Sequence, residues 1–150
     1  MLTNFEIFCR LADTWSFIRI LNNIEEPLLS GVVTGNASFE KVSGQNNLLH
    51  YKEYGTLNTK TGKKHTISKE YFYAFNSSTN NIEKYFAQGG IKTGLFYIID
   101  ANRTAEHLCL NDHYQAKYEF NNDSFKEFTL SYKVSGSNKN YISETRYTLT

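Results

Sequence analysis

Proline and cysteine are both scarce in this sequence, which has one proline and two cysteines, Cys9 and Cys109, in 150 residues. The first ten residues contain no basic segment that leads into an apolar run, so a secretory signal is not predicted. Two distant thiols in a chain without an export signal are expected to be free rather than joined in a disulfide. These absences favour a cytoplasmic location.

Long apolar runs and an excess of one charge are also missing. No stretch of about 18 apolar residues occurs, so a membrane-spanning helix and a membrane partner are not expected. The 16 basic and 15 acidic residues give a formal net charge of +1. Nucleic acid is not an expected partner, because its binding depends on clustered basic side chains that neutralise phosphates. Without repeats or linkers, residues 1–150 are interpreted as one domain.

Aromatic residues, by contrast, are abundant, with 11 tyrosines and 11 phenylalanines. A short helix is predicted at the start of the chain, where Thr3 and Glu6 form a capping box. Phe5, Phe8 and Cys9 follow at helical spacing, on the face that is expected to be buried. Beyond the helix, large aromatic side chains are typical of the inner faces of a β-sheet.

From Trp15 onward, polar and apolar residues alternate with a period of two, and turn-forming residues interrupt the pattern at regular intervals. The pattern predicts a strand beginning at Trp15 and nine more, at about 31–42, 48–57, 66–76, 81–87, 94–100, 106–110, 113–120, 125–134 and 140–149. Helices for crossover connections are lacking. The predicted fold class is therefore all-β, an antiparallel up-and-down β-barrel of about ten strands with the helix at one end. Such a barrel has room inside for a small ligand.

Two charged residues fall on the inward, aromatic faces of their strands. Arg19 shares a face with Trp15, and Glu53 shares a face with Tyr51. An inward charge is costly unless it is paired or serves a ligand. One interpretation is a buried ion pair between Arg19 and Glu53. The other is a pocket in which Arg19 anchors an anionic or carbonyl group of a ligand.

The stretch HLCLNDHYQAKY, residues 107–118, combines several chemically active side chains. Asn111 and Asp112 are turn formers, and as the central residues of a tight hairpin they would pair Cys109 with Tyr114. This pairing places three side chains on the aromatic face, namely His107, Cys109 and Tyr114. His107 and Cys109 supply only two ligands, fewer than a zinc site needs, so no metal site is predicted.

Five short motifs in a fixed order resemble a known family of small, single-domain bacterial proteins of the lipocalin-like, or calycin, type. They are LADTW (11–15), VVTGNASF (32–39), YKEYG (51–55), HLCLNDHY (107–114) and GSNKNY (136–141). The HLCxxDxY pattern is kept here, whereas the family's Gly-Pro-x-Lys-Asp-Tyr pattern is changed around its lysine and tyrosine. The resemblance implies a lipocalin-like barrel. By position it also points to Trp15, Arg19, Glu53, His107, Cys109, Asp112, Tyr114, Lys139 and Tyr141.

The main functional hypothesis is a protein that binds an apolar or aromatic, and also anionic, small molecule inside the barrel. Its expected ligand contacts are Arg19, Glu53, His107, Cys109, Tyr114, Lys139 and Tyr141, and no cofactor is assigned.

Three alternatives remain open. The first is a barrel isomerase, cyclase or hydrolase in which His107 is the general base and Asp112 or Glu53 orients it. The second is a haem-binding barrel with His107 as the axial ligand. The third is an interaction module or homodimer formed through outward residues such as Leu108, Leu110 and Ile142.

Overall fold

The computed structural model describes residues 2–121, 124–137 and 139–150, and within them one short α-helix is followed by ten strands. A single turn of 3₁₀ helix, Pro27–Leu29, lies between the first two strands. The elements are α1 Asn4–Leu11, β1 Thr14–Asn23, β2 Gly31–Lys41, β3 Leu48–Thr59, β4 Lys64–Asn76, β5 Asn81–Gln88, β6 Ile91–Ile99, β7 Thr104–Cys109, β8 Asp112–Phe120, β9 Glu127–Ser135 and β10 Asn140–Leu149. The predicted all-β fold with about ten strands is confirmed.

The ten strands form one antiparallel sheet that curls into a nearly closed barrel. The strand order is β6-β5-β4-β3-β2-β1-β10-β9-β8-β7, so that β1 pairs with β10 and the two ends of the sheet are β6 and β7. Along their described lengths, β6 and β7 share no backbone ladder. We call the line where these two strands meet the seam. Side chains close it, because the rings of Phe96 and His107 lie 5.2 Å apart across it.

One end of the barrel is filled with aromatic side chains and covered by α1. Trp15 is completely buried, and its indole N–H donates to the carbonyl oxygen of Leu11 at the end of the helix. The ring of Phe128 lies 5.0 Å from that of Trp15 and stacks on Tyr147 at 4.3 Å. Large rings packed in this way fill the barrel interior at the helix end, whereas the cavity that contains Arg19 and Glu53 lies farther along the barrel.

The helix begins as predicted but buries a different face. Thr3 accepts a hydrogen bond from the backbone N–H of Glu6, and the Glu6 carboxylate accepts one from Thr3, which completes the capping box. The buried apolar side chains are Ile7, Phe8 and Leu11. The prediction that Cys9 is buried was wrong, since Cys9 is exposed and free. Ile7 and Leu11 have larger apolar side chains than Cys9, so packing them against the barrel end removes more apolar surface from water.

The hairpin between β7 and β8 turns one residue earlier than predicted. Cys109 pairs with Asp112, and His107 pairs with Tyr114, so the turn consists of Leu110 and Asn111. Leu110 adopts a left-handed conformation with φ of 55°. The Asp112 carboxylate packs against Gly136, where an added β-carbon would collide with it.

The predicted outward position of three apolar residues agrees with their exposure. Leu108, Leu110 and Ile142 are all exposed, and a homodimer built on them stays a prediction. In the described part of the chain, every helix is too short or too polar to cross a membrane.

Candidate ligand-binding cavity

A cavity of about 520 Å³ lies inside the barrel, on the side away from α1, and all ten strands contribute to its wall. Alternate turns of an up-and-down barrel lie at opposite ends. The β7–β8 and β9–β10 turns are two of the five connections at the end away from α1, which we call the mouth. The lining includes Arg19, Glu53, His107, Cys109, Tyr114, Lys139 and Tyr141. The structure therefore brings all seven expected ligand contacts into one cavity.

Period-two alternation accounts for this convergence. Side chains two residues apart on a strand share a face, so the aromatic faces predicted for β1 and β3 become the inner wall. Arg19 follows Trp15 and Phe17 inward from the closed end, and Glu53 follows Tyr51 in the same direction. The closed end of the barrel is thus apolar, and its middle is charged.

Arg19 and Glu53 form a bidentate ion pair on the cavity wall. The two terminal nitrogens of Arg19 donate to the two Glu53 oxygens at 2.8 and 2.9 Å, and Arg19 Nε donates to Thr145 Oγ1 at 2.7 Å. Tyr51 donates its hydroxyl to Glu53 Oε1 at 2.6 Å and contacts the Tyr147 hydroxyl at 2.8 Å. Most of the hydrogen-bonding capacity of Glu53 is therefore used inside the protein.

The ion pair controls the ionisation of its members. Burial by itself would raise the pKa of Glu53, but the hydrogen bonds and charge of Arg19 outweigh it and hold that pKa below its ordinary value of 4.5. Burial would lower the pKa of Arg19, yet the bond to Glu53 raises it on balance. Burial raises the pKa of Tyr147 to about 12, helped by the negative charge of Glu53. At neutral pH the group is one cation, one carboxylate and neutral phenols.

Lys84, on β5, is a cavity residue that the sequence analysis missed. Its side chain is only 3% exposed, and its Nζ lies 4.0 Å from the centre of the Tyr71 ring. Four further rings surround the amine at 5.3–5.6 Å. The strand NIEKYFA alternates Ile82, Lys84 and Phe86 on one face, so the same rule that located Arg19 could have found it.

Lys84 contacts a chain of four tyrosine hydroxyls. Its Nζ lies 2.9 Å from the Tyr132 oxygen and 3.3 Å from the Tyr97 oxygen. The Tyr97 oxygen lies 2.5 Å from those of both Tyr132 and Tyr118, and the Tyr118 oxygen lies 3.2 Å from that of Tyr73. Burial raises the pKa of each of these phenols, so they stay neutral at physiological pH.

An irregularity in the sheet assembles the rings around Lys84. The register between β5 and β6 shifts next to Lys84, which pairs with Tyr97 while the following residue pairs with Leu95. Such a bulge turns two consecutive side chains toward the same region. Phe96 and Tyr97 are accordingly both buried, with their rings 4.5 Å apart.

His107 lies in an aromatic part of the wall near the seam. Its ring contacts those of Phe86, Phe96 and Tyr114 at 5.2–6.1 Å. Among the described residues, no hydrogen bond joins His107 to Asp112 or Glu53, and Asp112 is outside the cavity lining. The geometry thus lacks the partner that would orient His107 as a general base.

Two more lysines belong to the cavity wall. Lys139 donates to the Tyr114 hydroxyl at 2.9 Å, and this bond is the main reason why the pKa of Lys139 is raised. Lys69 lines the cavity, and desolvation followed by repulsion from Arg19 lowers its pKa. Asn138, in the motif that contains Lys139, lies outside the described residues.

The cavity wall carries more positive than negative groups. Its described lining contains four lysine or arginine side chains, Arg19, Lys69, Lys84 and Lys139, and one carboxylate, Glu53. In the described residues, no three His, Cys, Asp or Glu side chains cluster closely enough to hold a metal ion. Chemically, the cavity can enclose a flat body between rings and offer cations to its acidic groups.

The sequence matches one family of proteins over most of its length. Residues 11–149 match the DUF6314 family, which is described as a family of unknown function. The chain belongs to this family. The predicted membership in a lipocalin-like family of unknown function is confirmed. No curated protein matches the sequence.

In fold, this DUF6314 member is similar to the S-type phycobiliprotein lyase CPES from Guillardia theta. The likeness has a TM-score of 0.62 and covers 99% of this chain and 93% of that chain, at 8% sequence identity. At this identity the likeness shows the shared barrel fold alone.

Proposed function

We propose that this protein binds an anionic small molecule with a flat, aromatic or conjugated body inside its barrel. The observation that carries the proposal is the charge of the cavity. Glu53, the carboxylate of the described lining, accepts two hydrogen bonds from Arg19, and among the described residues no carboxylate forms an ion pair with Lys69 or Lys139. An anionic ligand would supply the missing negative charge.

The lining also supports the flat body. Tyr71, Phe86, Phe96, His107 and Tyr114 present ring faces and edges to the cavity on the side of the seam. Rings packed in this way favour stacking and edge contacts with another planar system. The volume of about 520 Å³ falls within the range of about 300–1,000 Å³ typical of small-molecule sites.

The positions of the charges suggest an orientation for the ligand. Lys139 donates to Tyr114, which belongs to the ring cluster, and Lys69 lies on β4 opposite Glu53. The acidic group would therefore lie beside Lys139 or Lys69, and the planar body would lie against the rings. Binding without turnover is favoured over general-base catalysis, because His107 lacks an orienting carboxylate in the described site.

The phycobiliprotein lyase with the similar fold supports the barrel and does not select the ligand. A linear tetrapyrrole such as biliverdin, which carries carboxylates on a flat conjugated body, is one probe of the proposed class. Aromatic sulfonates and carboxylates are others.

The test is a fluorescence titration with two matched dyes, anilinonaphthalene sulfonate and N-phenyl-1-naphthylamine, which has the same rings without the sulfonate. A charge-assisted hydrogen bond contributes about 1.5–3 kcal/mol, so the sulfonate dye is expected to bind about tenfold tighter or more. The double variant Lys69→Met/Lys139→Met is expected to remove this preference and to retain the neutral dye.

The matched control is Lys52→Met, because Lys52 neighbours Glu53 on β3 and therefore points outward. This variant is expected to keep the preference for the sulfonate dye. Equal binding of the two dyes to the wild-type protein, or loss of the preference in Lys52→Met as well, would contradict the proposal.

A further inference from the structure

We propose that Lys84 is a covalent attachment site, whose amine condenses with the aldehyde or ketone carbonyl of a ligand in the cavity to give an imine. The inference rests on the proposed function only in that the ligand enters the same cavity. It adds a chemical requirement, a reactive carbonyl group, to the planar body described above.

The surroundings of Lys84 are unusual for a lysine. The amine is buried, lines the cavity, and is enclosed by rings, of which Tyr71 is nearest at 4.0 Å. Among the described residues, its polar contacts are the hydroxyls of Tyr97 and Tyr132, and no carboxylate forms an ion pair with it. A buried ammonium group without a counter-ion is costly, and the neutral amine avoids that cost.

The hydrogen-bond count of the tyrosine chain also favours a neutral amine. Four hydroxyls carry four protons, but they share only three oxygen–oxygen contacts. One hydroxyl proton therefore needs a further acceptor. The lone pair of neutral Lys84, 2.9 Å from the Tyr132 oxygen, provides one, whereas an ammonium group has no lone pair.

Electrostatics agrees with this count. Desolvation is the main cause that lowers the pKa of Lys84 well below its ordinary value. The positive charge of Lys69 lowers this pKa further, the negative charge of Glu53 opposes the shift, and the positive charge of Arg19 adds to it. A lysine amine that is neutral near pH 7 is a nucleophile for carbonyl carbons. The lowered pKa thus increases the fraction of Lys84 that is in the neutral, nucleophilic form.

The condensation of the amine with the carbonyl group requires no oxidant or reductant, and its second product is water. The nitrogen lone pair attacks the carbonyl carbon, a C–N bond forms, and the carbonyl π bond breaks as its oxygen takes a proton. The nitrogen loses two protons in all. One replaces the proton that the oxygen took, and the other goes to the hydroxyl, which leaves as water as the C=N bond forms. Tyr132 lines the cavity beside the amine, so its neutral hydroxyl can donate the proton and recover one from the nitrogen.

The test treats the wild-type protein with benzaldehyde and sodium cyanoborohydride, which reduces an imine to a stable secondary amine, and maps the modified lysines by peptide mass spectrometry. Lys84 is expected to react at least about tenfold faster than any exposed lysine, because each unit of pKa lowering raises the neutral fraction about tenfold. Labelling at Lys84 is expected to persist in Lys52→Met, which changes a lysine that neighbours Glu53 on β3 and therefore points outward.

Lys84→Met is expected to abolish the rapid labelling. A thermal melt of this variant checks that it is folded. The site mapping is done on the wild-type protein and does not depend on the outcome of that melt. Labelling spread over exposed lysines with Lys84 unmodified would overturn the inference.

The dye titration separates this inference from the proposed function, because benzaldehyde carries no charge. Tight binding of the sulfonate dye without labelling of Lys84 would overturn the imine and leave the anionic ligand. Rapid labelling of Lys84 without binding of the sulfonate dye would support the imine and remove the anionic ligand.

Discussion

Replacing Arg19 with methionine tests the electrostatic reasoning about the cavity wall most directly. The change removes three hydrogen bonds, two to Glu53 and one to Thr145, and keeps a long apolar side chain in contact with the interior. Glu53, with a side chain only 2% exposed, is left with the Tyr51 hydroxyl as its remaining partner in the described network. A buried carboxylate without its cation is strongly destabilising.

The size of the effect follows from the burial of the pair. Breaking a buried ion pair from one side costs about 3–5 kcal/mol, and the water-accessible cavity beside Arg19 places the expected loss near 3 kcal/mol. The double variant Arg19→Met/Glu53→Met removes both charges. Its free energy of unfolding is expected within about 1 kcal/mol of the wild type, because apolar replacement of a whole buried pair is often neutral.

The pH dependence of the free energy of unfolding is an independent check on this reasoning. In the wild-type protein the pKa of Glu53 is lower in the folded state than in the unfolded state. Ionised Glu53 therefore stabilises the fold at pH values above the unfolded pKa, and this stabilisation is lost as the pH falls through the folded pKa. In Arg19→Met, burial without the cation raises the folded pKa. The variant is therefore penalised at neutral pH, and the penalty shrinks on acidification.

The free energy of unfolding is measured in urea at about pH 7.5 and about pH 5 for the wild type, Arg19→Met and Arg19→Met/Glu53→Met. The expected pattern is a large loss at the higher pH, a smaller loss at the lower pH, and recovery in the double variant. A loss that is the same at both pH values, or a double variant as unstable as Arg19→Met, would refute the reasoning.

Three further predictions concern backbone packing, the helix cap and the two thiols. Gly35→Ala is expected to lower the free energy of unfolding by about 1–3 kcal/mol, because its β-carbon would collide with backbone atoms of β3. Gly94→Ala, in open space, is expected to stay within about 0.5 kcal/mol of the wild type, and equal urea midpoints for the two variants would contradict this. Thr3→Ala is expected to lose about 1 kcal/mol of unfolding free energy through the capping box, and an unchanged value would show that the cap contributes nothing. A bulky maleimide on Cys109, at the cavity, is expected to reduce dye binding, whereas the same label on Cys9 is not; equal effects would place the dye elsewhere.

Much of the fold and part of the cavity could be predicted because strand alternation has a fixed period. Arg19 and Glu53 were assigned to inward faces from their aromatic neighbours, and the structure joins them in an ion pair. The hairpin prediction misplaced the turn by one residue, so each pairing moved by two positions. An even shift preserves the face, and His107, Cys109 and Tyr114 therefore stayed on the cavity side.

The rest depended on tertiary structure that a single sequence does not display. The N-terminal helix was predicted to bury Cys9, whereas Ile7 and Leu11 are the residues that pack against the barrel end. The enclosure of Lys84 required the bulge that turns both Phe96 and Tyr97 inward. Perfect alternation would place these two neighbours on opposite faces, so the local pattern argued against the observed arrangement.

The seam gives the barrel wall a mechanical property that a continuous cylinder lacks. A cylinder whose ladder closes all the way round can widen only by breaking backbone hydrogen bonds between two strands. Here the circumference is interrupted at β6 and β7, and the rings of Phe96 and His107 span the gap. Separation of those rings would enlarge the interior without loss of any ladder bond, because no ladder joins β6 to β7.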